Sequence, residues 1–307
     1  MAKRALYLER QTEPFQISRA KIEDFVRCPR CFVLDVKHGV KKPSSPPFTL
    51  NMAVDNQLKK EFDDYRRIAA VPPVVAAAGL DFVPFSHPDI DTWRATLKGI
   101  RFTTEDFIVT GAVDDVWINK AGELIIVDYK ATGRRLAVKE LGVGGFYDSY
   151  RRQMEIYQWL FTMNGFNVSS TVYWLYVTAT QTQNAFDGAL NFESNLISYV
   201  GDTRWISGVL HDIKSTMDNS ELPPSGDDCD VCRFTHERNR IVAGFPDQDE
   251  QPQVCEDCNE VMSRAVYGMT IGEPGEGFIG MGCTVGMGLE FGIEDPYWVC
   301  KSCVGRE

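Results

Sequence analysis

The chain has 307 residues, 44% hydrophobic and 24% charged, the balance of an ordinary soluble protein with material for one large domain or a domain with an appendage. A formal charge of −11 excludes a uniformly basic nucleic-acid binder, yet residues 1–68 carry 14 Lys/Arg against 9 Asp/Glu, whereas residues 250–307 carry 3 against 10. Phosphate contact therefore stays open to the N-terminal part.

The N-terminus, MAKRALYLERQTE, lacks the apolar stretch of a signal sequence. The most apolar later run, Val71 to Leu80, is short and broken by Pro72 and Pro73. A soluble cytoplasmic protein without a membrane partner is expected. Eight of the nine cysteines form four C-x-x-C pairs, Cys28/Cys31, Cys229/Cys232, Cys255/Cys258 and Cys300/Cys303, with Cys283 left over. In a reducing compartment such pairs read as metal ligands before disulfides.

In chain order, Ser18 to Val36 predicts a helix with Ser18 as N-cap and Ile22, Phe25 and Val26 on one face. Cys28-Pro-Arg-Cys31 falls within it, and Arg27 and Arg30 beside it are of the type that meets phosphates. Leu50 to Arg67 predicts a second helix, capped by Asn51, with Val54, Leu58, Phe62 and Tyr65 as an apolar stripe. Asp55 flanks that stripe and Glu61 falls within it. Pro72 to Arg101 reads as a connection with little chemistry of its own, and His87 as a surface or loop histidine.

Phe107 to Lys130 carries two β-branched runs around Asn119-Lys120-Ala121-Gly122, the pattern of a β-hairpin. A three-residue loop, with Gly122 as the left-handed residue of a G1 bulge, pairs Asn119 with Glu123 and places Asp114 opposite Asp128. Lys130 then shares their face, while Asp115 and Tyr129 point the other way. Two carboxylates and an ammonium among Val and Ile are costly unless they hold a cation. Mg²⁺, bound through one or two carboxylates with water and phosphate oxygens, resolves the conflict, so the cluster reads as a phosphodiester-hydrolysing metal site.

Ala131 to Arg135 ends the strand, with Arg134 and Arg135 as candidate contacts to a nucleic-acid backbone, and Gly142 to Gly145 suggests a mobile segment near the site. Asp148 to Met163 predicts a helix stopped by Asn164-Gly165, with Ile156, Trp159 and Leu160 in the core and Gln153 and Tyr157 one turn apart. Val168 to Thr178 alternates as a strand, and Arg204 to Met217 predicts a closing helix before Pro223-Pro224. From Asp247 the composition changes. Cys255/Cys258 and Cys300/Cys303 bracket a Gly- and Met-rich stretch with too few aliphatics to hold a core unaided, so a zinc ribbon is expected there.

Gly111-Ala-Val-Asp114 followed by Ile126-Val-Asp128-Tyr-Lys130 resembles the G-x-x-D and (D/E)-x-K elements of the PD-(D/E)XK nuclease superfamily. Gln153-Met-Glu-Ile-Tyr157 resembles the Q-x-x-x-Y motif of its RecB-like branch, and the resemblance spans roughly residues 15 to 240. It implies an α/β, restriction-endonuclease-like core with a mixed central sheet flanked by helices over residues 1–246, and a zinc-ribbon appendage over 247–307. It also implies a Mg²⁺- or Mn²⁺-dependent nuclease, with DNA the favoured substrate, working in repair, recombination or defence.

In that reading Asp114, Asp128, the Tyr129 carbonyl and Asp55 hold the divalent ions, Lys130 positions water, and Gln153 and Tyr157 orient the substrate. Asn51 and Asp55 stand where the branch often has G-x-x-x-H, which leaves the helix ligand open between Asp55 and Glu61. Cys28, Cys31, Cys229 and Cys232 match in part the cysteines that hold an iron–sulfur cluster in several relatives, with zinc as the other candidate and His236 a further ligand. The ribbon would offer a protein contact. The competing expectation is a catalytically silent nucleic-acid-binding or metal-sensing module on the same fold.

Overall fold

The computed structural model describes residues 5–43, 46, 48–180 and 188–243, with the backbone of 263–265 and 297–299. The chain divides into two compact units, Met1–Cys229 and Asp230–Glu307.

In the first unit the elements run β1 (Phe15–Ser18), α1 (Arg19–Arg27), α2 (Pro29–Val36), α3 (Thr49–Arg67), α4 (Pro73–Ala77), β2 (Val83–Pro84), α5 (Ile90–Arg94), β3 (Ile100–Thr103) and β4 (Phe107–Gly111). There follow β5 (Asp115–Ile118), β6 (Leu124–Arg134), α6 (Gly145–Met163), β7 (Thr171–Thr180), β8 (Phe192–Val200) and α7 (Ile206–Asp218). Five strands form a mixed sheet in the order β2-β5-β6-β7-β8, and β1-β4-β3 form a smaller one. Only β6 and β7 run parallel in the larger sheet. Parallel neighbours need a crossover, and α6 supplies it.

The hairpin sets which side chain faces which layer. Gly122 has φ +78°, and the Asn119 N–H donates to the Glu123 carbonyl at 3.1 Å, which fixes the short loop. The ladder pairs Ile118 with Leu124, Trp117 with Ile125, Val116 with Ile126 and Asp115 with Val127. Val116, Leu124 and Ile126 join a core that holds Met154, Ile156 and Leu160 of α6. Trp117, Ile125, Val127 and Tyr129 join a second core with Phe62 of α3, whose ring stacks on Trp117 at 5.2 Å. The sheet is thus buried on both sides, by α6 and by α3.

Several sequence expectations need correction. Ser18 does cap α1, its hydroxyl accepting from the Lys21 N–H, but the helix breaks at Cys28, which starts α2, and Val26 is exposed. α3 begins at Thr49 after Phe48 and has no side-chain cap; Asn51 lies inside it and serves another purpose. The supposed connection from Pro72 to Arg101 contains α4, β2, α5 and the start of β3. It also delivers Arg94 to Asp63 at 2.7 Å and a half-buried His87 stacked 4.4 Å from Trp93. The strand after the hairpin continues through Arg134, and Gly145, at the end of the supposed mobile segment, is already the first residue of α6.

In the second unit, α8 (Asp230–Val242) is followed by β9 (Ser263–Ala265) and β10 (Tyr297–Val299), an antiparallel pair. Cys255, Cys258, Cys283, Cys300 and Cys303 lie outside the described residues. Among the described residues no helix is long and apolar enough to cross a membrane.

Asp115 is the charge the α3 face is built around. It is fully buried and accepts from the Arg66 guanidinium, Trp117 Nε1 at 3.1 Å, the Tyr129 hydroxyl at 2.8 Å and the Val116 N–H at 2.9 Å. Asp115→Asn keeps the shape but leaves the Arg66 charge without this partner, which should cost about 3 kcal/mol. A lowered urea midpoint with unchanged slope is the expected result.

Candidate active site

The two aspartates in the turn between β4 and β5 go different ways because the ladder ends at Asp115 and Val127. One residue earlier the chain has already left the sheet, so Asp114 does not pair with Asp128 across a ladder. It turns instead to the edge of β6 that β5 has vacated. There Asp114 Oδ2 accepts the Tyr129 N–H at 2.9 Å, and Asn51 Nδ2 donates to the Ala131 carbonyl at 2.9 Å. Side chains replace a missing strand along this edge. In a strand the N–H and carbonyl of one residue point the same way, so the Tyr129 carbonyl shares the edge with Asp114.

Gly111 makes room for α6. A Cβ there would lie 2.8 Å from Tyr157 Cε1 and 2.9 Å from Leu160 Cδ1, so the glycine lets α6 come down on the strand end and carry Tyr157 to the site.

Asp128 is 1% exposed. Gln153 Nε2 donates to its Oδ1 at 2.6 Å and lies 3.3 Å from the Tyr157 hydroxyl. Its Oδ2 sits against the Lys130 ammonium and has no other hydrogen-bond donor among the described residues. Burial pushes the Asp128 carboxyl up to about 7, with the Asp114 charge adding to the rise and Lys130 and Arg19 opposing it. Lys130 goes the opposite way. Burial disfavours its charge, but Asp128 and Asp114 together hold its pKa above the ordinary lysine value. The ammonium lies 4.4 Å from the Tyr150 ring centroid, which further suits a cation. Both influences favour the ammonium form of Lys130.

On α3, Asp55 faces Asp114, and Lys59, one turn on, reaches both, at 2.8 Å from Asp55 and 3.5 Å from Asp114. Burial and the Asp114 charge raise the Asp55 pKa against the pull of Lys59. Glu61 is exposed and outside this group, so of the two acidic candidates on α3 only Asp55 lies at the site. The side chains open into a cleft of about 490 Å³, whose walls include Asp55, Asp114, Lys130, Tyr150 and Arg134. Arg134 approaches the Tyr147 hydroxyl at 3.4 Å. Arg135 is exposed and does not line this cleft; it borders a separate surface groove.

Two residues that the sequence reading did not single out belong to the site, Lys59 and Arg19. The Arg19 guanidinium lies 5.9 Å from the Tyr157 ring centroid, and Tyr157 and Asp128 keep its charge favourable despite burial. Its only sequence signal is its place directly after the Ser18 cap. Two of the three carboxylates, Asp55 and Asp128, are raised by burial and by the Asp114 charge.

A separate cysteine group joins early and late segments. Cys28 Sγ accepts from the Cys31 N–H at 3.5 Å and the Gly226 N–H at 3.3 Å, and Cys31 and Cys229 sulfurs are 3.6 Å apart. Within the first unit the sulfurs of Cys28, Cys31 and Cys229 all lie within 4.8 Å of one another, thiols of the kind that ligate a metal. Burial opposes ionisation of Cys28, but the N–H groups of Gly226 and Cys31 and the neighbouring thiols bring it down to about 7. His236 is 77% exposed at its side chain and stands outside the group.

Residues 49–236, more than half of the chain, match the family model of the PD-(D/E)XK nuclease superfamily. No curated protein matches. Among solved structures, the chain is similar to SSO0001, at 15% identity and TM-score 0.37, over 75% of this chain and 87% of that one. It is also similar to a phage related exonuclease from Haemophilus somnus 129PT, at 13% identity and TM-score 0.30, over 65% and 78%.

A side chain at Gly226 would collide with the Arg27 carbonyl next to Cys28. Gly226→Ala is therefore expected to take up less added Zn²⁺ at these cysteines than the unmodified protein while the sheet stays folded. Metal content by mass spectrometry, beside far-ultraviolet circular dichroism, checks this.

Proposed function

The chain belongs to the PD-(D/E)XK nuclease superfamily, and we propose that it is a RecB-like, divalent-metal-dependent deoxyribonuclease acting as an exonuclease in repair, recombination or defence. The observation that carries this reading is the connected chain Lys130, Asp128, Gln153 and Tyr157 beside Asp114, at a strand edge that opens into a cleft. Gln153 holding Asp128 and Tyr157 together gives the Q-x-x-x-Y helix a physical task at the site, which supports the RecB-like assignment.

Asp114, Asp128, Asp55 and the Tyr129 carbonyl would hold Mg²⁺ or Mn²⁺. When bound, such an ion supplies Lewis acidity to the scissile phosphate and acidifies a water that attacks it. The protein's own groups do the rest. Lys130, held as a cation by its two carboxylates, offsets the negative charge that grows on the phosphate in the transition state. Gln153 fixes the Asp128 carboxylate so that its other oxygen, beside Lys130, keeps one direction. Arg134, at the cleft wall, is suited to the nucleic-acid backbone, and Arg135 to a more distant part of it. Cys28, Cys31, Cys229 and Cys232 would hold zinc or an iron–sulfur cluster that joins the two ends of the nuclease domain. For the tail, composition supports a zinc ribbon on Cys255, Cys258, Cys300 and Cys303 and a domain division at residues 1–246 and 247–307, with the ribbon available to a protein partner.

Lys130→Ala is expected to slow DNA cleavage by about 100-fold or more with little loss of DNA binding. Turnover with Mg²⁺, Mn²⁺ or chelator, measured beside binding, tests it, and cleavage at the unmodified rate would refute the mechanism. Asp114→Asn should in addition lose Mn²⁺ binding in calorimetry, whereas Asp115→Asn should keep it.

A further inference from the structure

Lys59 lies outside the D-x-K motif, yet its ammonium stands between two of the acidic groups of the cleft. It is 2.8 Å from Asp55 Oδ2 and 3.5 Å from Asp114 Oδ1, while the other Asp114 oxygen is engaged by the Tyr129 N–H. With side-chain exposures of 22% for Lys59, 30% for Asp55 and 25% for Asp114, the three groups are partly desolvated but reachable from solvent. The metal-free protein needs such a cation, because two carboxylates this close repel each other.

Resting on the metal-site reading above, we propose that Lys59 is a resident counter-ion that a divalent metal must displace, and that it thereby sets the metal affinity of the cleft. The geometry distinguishes it from Lys130. Lys130 is enclosed, with Asp128 on one side and the Tyr150 ring on the other, and has little room to leave. Lys59 is half-buried in the middle of α3, and a change of rotamer carries its ammonium into solvent. An entering ion that takes Asp55 and Asp114 exchanges one cation for another. The loss of the lysine contacts, and the repulsion of an ammonium left nearby, are both charged against metal binding. Lys59 is thus a positioning residue that acts on the metal through the carboxylates.

Replacing Lys59 by an uncharged side chain should then have two opposite effects. Lys59→Met is expected to bind Mn²⁺ more tightly, on the order of fivefold in Kd, from partly exposed ion pairs of ordinary strength. The metal-free variant should melt a few degrees lower than the unmodified protein, a shift of the size expected for loss of such pairs. Mn²⁺ should raise its melting temperature by more than it raises that of the unmodified protein.

The test is calorimetric titration of Mn²⁺ and thermal unfolding with and without Mn²⁺, on the full chain. Lys59→Gln serves as a second variant should the methionine variant not fold. Lys120→Met, which removes an exposed lysine paired with Asp81, controls for net charge. Unchanged or weaker Mn²⁺ binding in the Lys59 variants would overturn the proposal, as would a gain equal to that of Lys120→Met. Failure of the unmodified protein to bind Mn²⁺, or binding untouched by Asp114→Asn, would overturn the metal-site reading itself, so the two failures are told apart.

Discussion

The β5–β6 register is the constraint on which the rest depends. A three-residue loop closed by Gly122 pairs Asp115 with Val127, and period-2 alternation then assigns every neighbouring side chain to one layer or the other. Asp115 goes with Tyr129 and Trp117 to the α3 side, where Arg66 neutralises it. Asp128 goes to the α6 side, where Gln153 and Tyr157 wait. A slip of one residue would bury Asp128 against Phe62 and send Trp117 toward α6. Both cores oppose the slip, because each loses large apolar side chains for charged ones.

That the ladder stops at Asp115 matters as much as its register. Had β5 continued, the β6 edge would be hydrogen-bonded to backbone and closed to anything else. Its early end leaves peptide groups that Asp114 and Asn51 satisfy from the side, and side chains can be exchanged for ligands in a way that a strand cannot. Gly111 belongs to the same device. Its missing Cβ permits close approach of Tyr157 and so lets α6 pack over the strand end.

Much of this arrangement was legible in the sequence because it is local. The loop chemistry around Gly122, the alternation of Val116 to Ile118 against Leu124 to Val127, and the one-turn spacing of Gln153 and Tyr157 each depend on a few adjacent residues. What escaped the sequence came from contacts between distant segments. Arg66, Arg94, Lys59 and Arg19 look in the sequence like charges on exposed helical faces, and only the packing of α3, α5 and α1 turns them inward. Asn51 departs from its sequence expectation for a related reason. Its cap propensity pointed to a helix end, but the Ala131 carbonyl gives its amide a partner from within the helix. The break between α1 and α2 has a local cause, Pro29, whose effect on the helix was outweighed in the sequence by an apolar pattern that runs across it.

The site also shows how a cluster of charge survives in a folded protein without making the fold depend on a ligand. Two unit charges about 4 Å apart interact by about 4 kcal/mol at the effective dielectric of a protein near its surface, enough to matter against a total stability of about 5–15 kcal/mol. Here each acidic group has a cation of its own: Arg66 for Asp115, Lys130 for Asp128, and Lys59 for Asp55 and Asp114 together. They differ in enclosure. Arg66 reaches a fully buried carboxylate that also accepts from three other groups, so that pair is structural. Lys130 lies between a carboxylate and an aromatic ring on the cleft wall. Lys59 serves two carboxylates with the longer of its contacts at 3.5 Å and remains reachable from solvent, so its place is the one most easily taken by another cation. The gradient from buried to exchangeable charge runs from the α3 core outward to the cleft.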